Sequence, residues 1–413
     1  MNYVTLAIPF FILLMAVEWA WGQWRGHQTY RMNDTLSSLY MGLMSRVVDL
    51  LRLGFASLVT AWMVSHLGVQ TLVIDAVWQY AVIFVAYDFL YYWKHRFGHE
   101  WRILWASHVA HHQSEEFNLS TALRQTGTDY IGFVFYLPLF LLGVPAEVVI
   151  TVGSLNLIYQ FWVHTEHIRR LGPLEWVFVT PSNHRVHHAK NPQYIDRNYG
   201  GVFILWDRLF GTFKDEEAAS PCRYGITHAL QSWDPIRANL HVWIETARLA
   251  WRTRRPKDKF LIWFRPPSWI PPDLPREEYD WQADKFDPVV SGFIRGYCFA
   301  HYWLITAAGL AAVLLGADFP IGLSLACFAL IAGSLYVHGQ LLEARATALR
   351  LEWARLVTII AFGVAGPVIW AELPLWVTWI ACAYAGTSAL ALVFGRQHTG
   401  GVSSQALAPI AAD

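Results

Sequence analysis

Stretches of about 18 or more mainly apolar residues, the length a helix needs to cross a bilayer, recur along this 413-residue chain. They predict spans at 3–22, 42–66 and 72–93, the second interrupted by Arg46, Asp49 and Arg52, the third ending in Tyr91-Tyr92-Trp93. Residues 130–163 read as two short spans broken at Gly143-Val144-Pro145. A polar stretch of roughly 130 residues follows, and four more spans come at 294–315, 319–341, 356–371 and 374–395. This pattern predicts an all-α, polytopic integral membrane helical bundle of about eight or nine transmembrane helices, with a histidine-rich cap on its cytosolic side. Its parts are N-terminal membrane helices (1–93), a histidine-rich core with two spans (94–245), a cytosolic connector (246–293) and a C-terminal membrane bundle (294–413). The connector's Pro- and charge-rich segment 252–287 is expected to lie against the membrane, with RTRRPKDK as a solvated or lipid-headgroup face.

The basic residues support this layout. With the N-terminus outside, the outer loops 67–71, 143–146, 316–318 and 372–373 contain no Lys or Arg, and the basic segments fall on one side, as the positive-inside rule expects. The first apolar run has neither a basic leader nor a small-residue cleavage motif, and reads as an anchor. The C-terminal Ala-Pro-Ile-Ala-Ala-Asp carries no retention signal, which favours a bacterial inner membrane over the endoplasmic reticulum.

Composition narrows the classes. Only 15% of residues are charged and 55% are apolar, against about 25% charged in soluble domains. The 31 Lys and Arg balance 31 Asp and Glu, so no basic field points to nucleic acid. Four scattered cysteines make neither a disulfide framework nor a thiolate metal site. The surplus is in histidine: ten of 17 lie between residues 95 and 188.

Eight of those form three motifs: His95-Arg-Phe-Gly-His99, His108-Val-Ala-His111-His112 and His184-Arg-Val-His187-His188. On a helix, residues i, i+3 and i+4 share a face, so each motif is expected to aim its imidazoles at one point. Chance predicts about 0.03 HxxHH windows in such a chain; two are present. Eight imidazoles exceed what one structural zinc or one haem needs and suit two metal ions, with Fe, Zn, Cu and Ni all compatible. His99-Glu100 is followed by Trp101-Arg102-Ile103, so no HExxH zinc-peptidase motif is present. Asp88 shares a helical stripe with Tyr92, His95 and His99 and is expected to orient His95 through its second ring nitrogen. Glu18, inside the first span, reads as a snorkelling or paired helix residue, with a lipid-substrate contact as the alternative.

Longer segments carry a resemblance. They are His111-His-Gln-Ser-Glu-Glu-Phe-Asn-Leu-Ser-Thr-Ala-Leu-Arg-Gln125, Tyr159-Gln-Phe-Trp-Val-His-Thr-Glu166, Thr180-Pro-Ser-Asn-His-Arg-Val-His-His188, Asp196-Arg-Asn-Tyr-Gly200 and Trp206-Asp-Arg-Leu-Phe-Gly-Thr-Phe213. With the histidine motifs they resemble the fatty acid hydroxylase/sterol desaturase superfamily, and within it the tetrahydrobiopterin-dependent alkylglycerol monooxygenase branch. The resemblance covers about residues 10–245 and implies a non-haem di-iron, O2-dependent monooxygenase acting on a lipid within the bilayer. Its implied reaction hydroxylates the carbon beside an ether oxygen, with a soluble pterin or an electron-transfer protein as partner. It adds His164 to His95, His99, His108, His111, His112, His184, His187 and His188 as metal ligands. It places Glu100, beside His99, at the metal site or the pterin, a catalytic candidate alongside Asp88, and sets Asn118, Arg124, Gln125 and Asp196 around the site or pterin pocket. His167, one turn beyond His164, either substitutes for it or caps a helix. A sterol, fatty acid or carotenoid hydroxylase or desaturase stays open. So does a membrane metal-binding or metal-transport protein, although histidines at one face do not line a pore.

Overall fold

The structure, a computed structural model, describes residues 3–51, 58–59, 62, 65–66, 70–276 and 278–395. The first part of the chain forms α1 (Tyr3–Arg25), α2 (Met32–Val47), α3 (Val77–Glu100), α4 (Arg102–His112), α5 (Leu119–Ala122), α6 (Leu137–Leu141) and α7 (Ala146–Trp162). Next come α8 (Pro181–His188), α9 (Leu205–Phe210), α10 (Pro235–Arg252) and α11 (Pro256–Leu261), then α12 (Gly292–Leu315), α13 (Ile321–Leu342), α14 (Ala348–Ile369) and α15 (Trp376–Gly395). Among the described residues there is no strand, only two isolated bridges, Phe178 with Phe203 and Ala189 with Tyr224.

Five helical segments are long and apolar enough to cross a membrane: Leu6–Arg25, Gly292–Asp318, Ile321–Leu342, Ala348–Ile369 and Trp376–Gly395. The chain is thus a multi-pass membrane protein with fewer such helices, among the described residues, than the nine apolar runs suggest. The run at 130–141 forms only a 3-10 turn, Gly132–Tyr136, and the five-residue α6, which has Pro138 in its first turn and ends before Gly143 at φ 83°. Helix α7 has 17 residues, short for a span. Of the span expected at 42–66, residues 52–57, 60–61 and 63–64 lie outside the described residues. Helix α3 continues past the expected end at Trp93 to Glu100, because nothing in Lys94–His99 breaks it, and so carries His95 and His99 on helical backbone.

The chain divides into two compact units. The first comprises Met1–Gly42, Leu53–Leu230 and Ala238–Lys285. Here α7 packs on α1 and α3, and α3 on α4, around Ile83, Leu139, Val148 and Val152. Glu18, buried on α1, accepts from the Leu119 amide (2.8 Å), Tyr30 and Thr165 (2.5 Å each), which anchors the residue after His164 to the first helix. The N-terminus of α4 is satisfied by the connector, with the amides of Arg102 and Ile103 donating to the carbonyls of Arg265 (3.0 Å) and Trp263 (2.8 Å). The second unit, Leu43–Arg52, Gln231–Arg237 and Phe286–Asp413, is built on α12–α15, each packed on the next in sequence. Its interior holds an ion pair: Arg355 donates to Glu352 (2.6 Å and 2.7 Å) and to Tyr384 (2.9 Å), and Tyr297 also donates to Glu352.

Candidate metal centre

Nine histidines converge in two groups, each with donor nitrogens within 4.8 Å of one another. One group is His95, His99, His108, His112 and His187; the other is His111, His164, His184 and His188. The groups abut, since the rings of His112 and His188 stack at 4.4 Å. The HxxxH pair, His95 and His99, shares one group as expected, whereas the expectation of one point is corrected for each HxxHH motif. At 100° per residue, positions i+3 and i+4 diverge by about 100° around the helix. Helix α4 therefore sends His108 and His112 to the first group and His111 to the second, while α8 sends His184 and His188 to the second and His187 to the first.

Backbone carbonyls set the tautomers. His95 Nδ1 lies 2.7 Å from the Tyr199 carbonyl, His187 Nδ1 3.0 Å from that of Arg197, His111 Nδ1 3.0 Å from that of Arg124, and His164 Nδ1 2.7 Å from that of Gln160. A carbonyl only accepts, so each ring carries its proton on Nδ1 and presents Nε2 as a lone pair. Burial keeps the imidazoles neutral: His108, His112, His184 and His188 are held well below the ordinary histidine pKa by desolvation first and neighbouring imidazoles second. Desolvation takes His111 to about 4 and His187 to about 3.

Lone pairs therefore face one another. His111 Nε2 and His164 Nε2 stand 3.2 Å apart, both bare. His108 Nε2 is 3.0 Å from the Nε2 atoms of His95 and His112, and His184 Nε2 is 3.0 Å from that of His164. The buried Nε2 atoms of His99 and His187 have no hydrogen-bond partner. Two nitrogens bound at about 2.1 Å to one ion at right angles stand about 3.0 Å apart. The spacing, the neutral donors and the orphaned nitrogens all fit a cation in each group.

The other expected residues have different places. Asp88 does not touch His95. Its Oδ1 accepts from Asn156 (2.7 Å) and the Val202 amide (2.8 Å), its Oδ2 from Trp206 Nε1 (2.9 Å) and the Phe203 amide (3.1 Å). Asp88 lies on the side of α3 that meets the 199–206 segment, and reaches His95 only through that segment, whose Tyr199 carbonyl orients the ring. Glu100, expected at the metals, pairs with Arg96 at 2.8 Å one turn back on α3. Asn118 caps α5 through Ser120 and donates to the Thr29 carbonyl, which ties its amide to the backbone. The buried Arg124 guanidinium donates to the Ala110 carbonyl (2.7 Å), Ser37 (3.0 Å) and Gln113 (2.8 Å), one bond from each of its three nitrogens. Gln125 is exposed and folds back to the Ala122 carbonyl. Asp196, at φ 59°, is exposed with Oδ1 3.7 Å from His99 Nδ1. His167 stays outside both groups, its ring 5.4 Å from that of His27.

Several supporting residues were not foreseen. Asn156 and Gln160 form a chain from Asp88: Gln160 donates to Asn156 (2.6 Å) and accepts from Tyr91 (2.7 Å), while its carbonyl holds His164. Polar residues one turn apart in an apolar run are the signal that marks them. Asp207 accepts from the amides of Tyr199 and Gly200, each at 2.7 Å, and so shapes the strap that orients His95. It lies within the Trp206–Phe213 segment.

A family model described as fatty acid hydroxylase matches residues 80–212. The chain is 39% identical over 319 residues to an alkylglycerol monooxygenase of Xenopus tropicalis, covering 74% of this chain and 70% of the relative. With the alkylglycerol monooxygenase of Homo sapiens it shares 41% over 275 residues (65% and 60%). With that of Danio rerio it shares 34% over 384 residues (89% and 84%). No solved structure shows significant similarity.

Proposed function

The chain belongs to the alkylglycerol monooxygenase family within the fatty acid hydroxylases and is an oxidoreductase, and from that premise we propose that it hydroxylates the carbon next to the ether oxygen of alkylglycerols. One oxygen atom of O2 enters that C–H bond. The other leaves as water with two electrons and two protons from a reductant. The hydroxylated carbon is then a hemiacetal, which collapses to a fatty aldehyde and glycerol.

Two iron ions, one in each imidazole group, would supply the activation of O2. His95, His99, His108, His112 and His187 would hold one, and His111, His164, His184 and His188 the other. The observation that carries the reading is the convergence of these nine neutral imidazoles on two points with their lone pairs inward. Neutral nitrogen donors also avoid burying carboxylates near a bilayer. The carbonyls of Tyr199, Arg197, Arg124 and Gln160 keep the rings aimed, the second link that metal-ligating histidine needs. Trp105, its ring 5.0 Å from His99 and 5.6 Å from His112, borders the first group and offers an apolar wall for a lipid chain.

The family points to reduced tetrahydrobiopterin as the electron donor. Asn118 and Arg124 bond within the fold through the contacts described above, and no pterin contact is assigned to them. The charge pattern fits metal groups on the cytosolic side of the membrane. The test is to incubate the purified, lipid-reconstituted protein with an alkylglycerol, O2 and either reduced tetrahydrobiopterin or a reduced cytochrome or ferredoxin. Fatty aldehyde formed with the pterin, on protein holding about two irons per chain, is the expected result. Stoichiometric zinc, or a hydroxylated sterol or acyl chain with no aldehyde, would overturn it.

A further inference from the structure

Helix α10 (Pro235–Arg252) carries three parallel sectors along its length. One is buried: Ala238, Val242 and Thr246 face inward, and Val242 packs with Ala106 and Val109 of α4, the helix that carries His108, His111 and His112. The second is apolar and open. Leu240, Ile244, Ala247 and Trp251 fall within about 60° of one another at 100° per residue. Leu240 is 39% exposed, Ile244 46% and Trp251 86%. The third sector is cationic: Arg248 and Arg252 are exposed and lie about 40–80° beyond Ile244. Among the described residues no carboxylate stands within ion-pair distance of either arginine, and Glu245, on the far side of them, pairs with Arg102. Past the helix end, Phe260 is 67% exposed beside the exposed Arg254 and Lys257.

A bare apolar stripe bordered by unpaired arginines on one helix matches the boundary of a bilayer leaflet, acyl chains below and phosphates beside them. A protein partner would have to supply both a hydrophobic surface and a row of anions in that register. An anionic lipid layer supplies both by its nature. We propose that α10 lies in the headgroup layer of an anionic leaflet, with Leu240, Ile244 and Trp251 in the acyl boundary and Arg248 and Arg252 on lipid phosphates. The metal-bearing α4 is thereby held directly behind a membrane-facing helix. This inference does not depend on which bond the enzyme oxidises.

The test reads lipid contact without turnover. The full chain with Ile244→p-benzoylphenylalanine is placed in nanodiscs of phosphatidylcholine alone or with one part in three of phosphatidylglycerol, irradiated, and its adducts are mapped by mass spectrometry. Ile244 is on the open face, so the change leaves the core intact, and only protein eluting as a single folded species is scored. Lipid adducts on the 240–252 peptide, rising several-fold with phosphatidylglycerol and losing that rise in R248E/R252E, are expected. Absence of lipid adducts, or cross-links to a second copy of the chain, would overturn the proposal. Adducts indifferent to both phosphatidylglycerol and charge reversal would equally overturn it.

Discussion

At Arg124 three nitrogens of one guanidinium reach three separate acceptors on α4, α2 and the loop after α4, while its own carbonyl holds His111. A lysine is a point donor and cannot bridge that fork. Arg124→Lys is therefore expected to destabilise the folded protein by about 2–3 kcal/mol, seen as a lower thermal midpoint with metal lost in parallel. An unchanged midpoint together with a raised requirement for pterin would mean that the side chain serves a ligand after all. Asn118→Ala removes the α5 cap and is expected to cost about 1 kcal/mol, with no effect on the apparent affinity for pterin. Both positions were marked in the sequence by the resemblance. Their roles were not, because whether an amide or guanidinium faces a cavity or a carbonyl depends on chain segments far away in sequence.

Among elements, the strap 196–203 decides more than its length suggests. It is pinned by Asp88 from α3 and by Asp207 from α9, and its Tyr199 and Arg197 carbonyls aim His95 and His187. Gly201 is required by close approach, since a Cβ there would meet Asp88 Oδ1 and the Tyr91 ring at 2.8 Å each. Asp88→Asn leaves an amide nitrogen facing donors that a carboxylate had accepted, and is expected to cost at least about 3 kcal/mol. Iron content should fall although no imidazole is altered; iron and thermal stability both at the wild-type level would show that the strap holds itself. The splitting of each HxxHH motif gives a second outcome at this scale. His108→Ala combined with His112→Ala should empty one group and leave about one iron per chain. His112→Ala combined with His111→Ala should weaken both groups, and iron quantified on the two double variants separates the cases. The motifs themselves were legible as metal-binding. The assignment of i+3 and i+4 to different groups needed the ring contacts between α4 and α8, His111 and His112 with His188 among them.

Over the whole molecule, the second unit contributes a buried ion pair that the nine metal-facing histidines do not involve. Glu352 is fully buried, Arg355 nearly so, and their contacts include Tyr297, Tyr384 and Ser334. Arg355→Met strands the carboxylate and is expected to destabilise the unit by about 3–5 kcal/mol. Replacing both residues with apolar ones of similar size should restore much of that loss. A detergent-solubilised thermal melt of the single and double variants checks the order, and a double variant no better than the single one would refute it. The apolar runs announced this unit correctly as helical, because a helix is the one open-ended structure that satisfies its own backbone in lipid.

What the sequence determined by itself is whatever depends on near neighbours along the chain. That covers the helical class, the long apolar segments, and the eight imidazoles whose clustering exceeds chance. The resemblance of the longer motifs brought His164. Tertiary structure alone decided which donor joins which group, that Asp88 works through a strap rather than on His95, and that Asn118 and Arg124 hold the fold. The physical reason is the hydrogen-bond requirement of buried polar groups. Each such group must find a partner, and the chain meets that need with residues 118 positions away between Asp88 and Trp206 and 147 between Glu18 and Thr165, where no periodicity points.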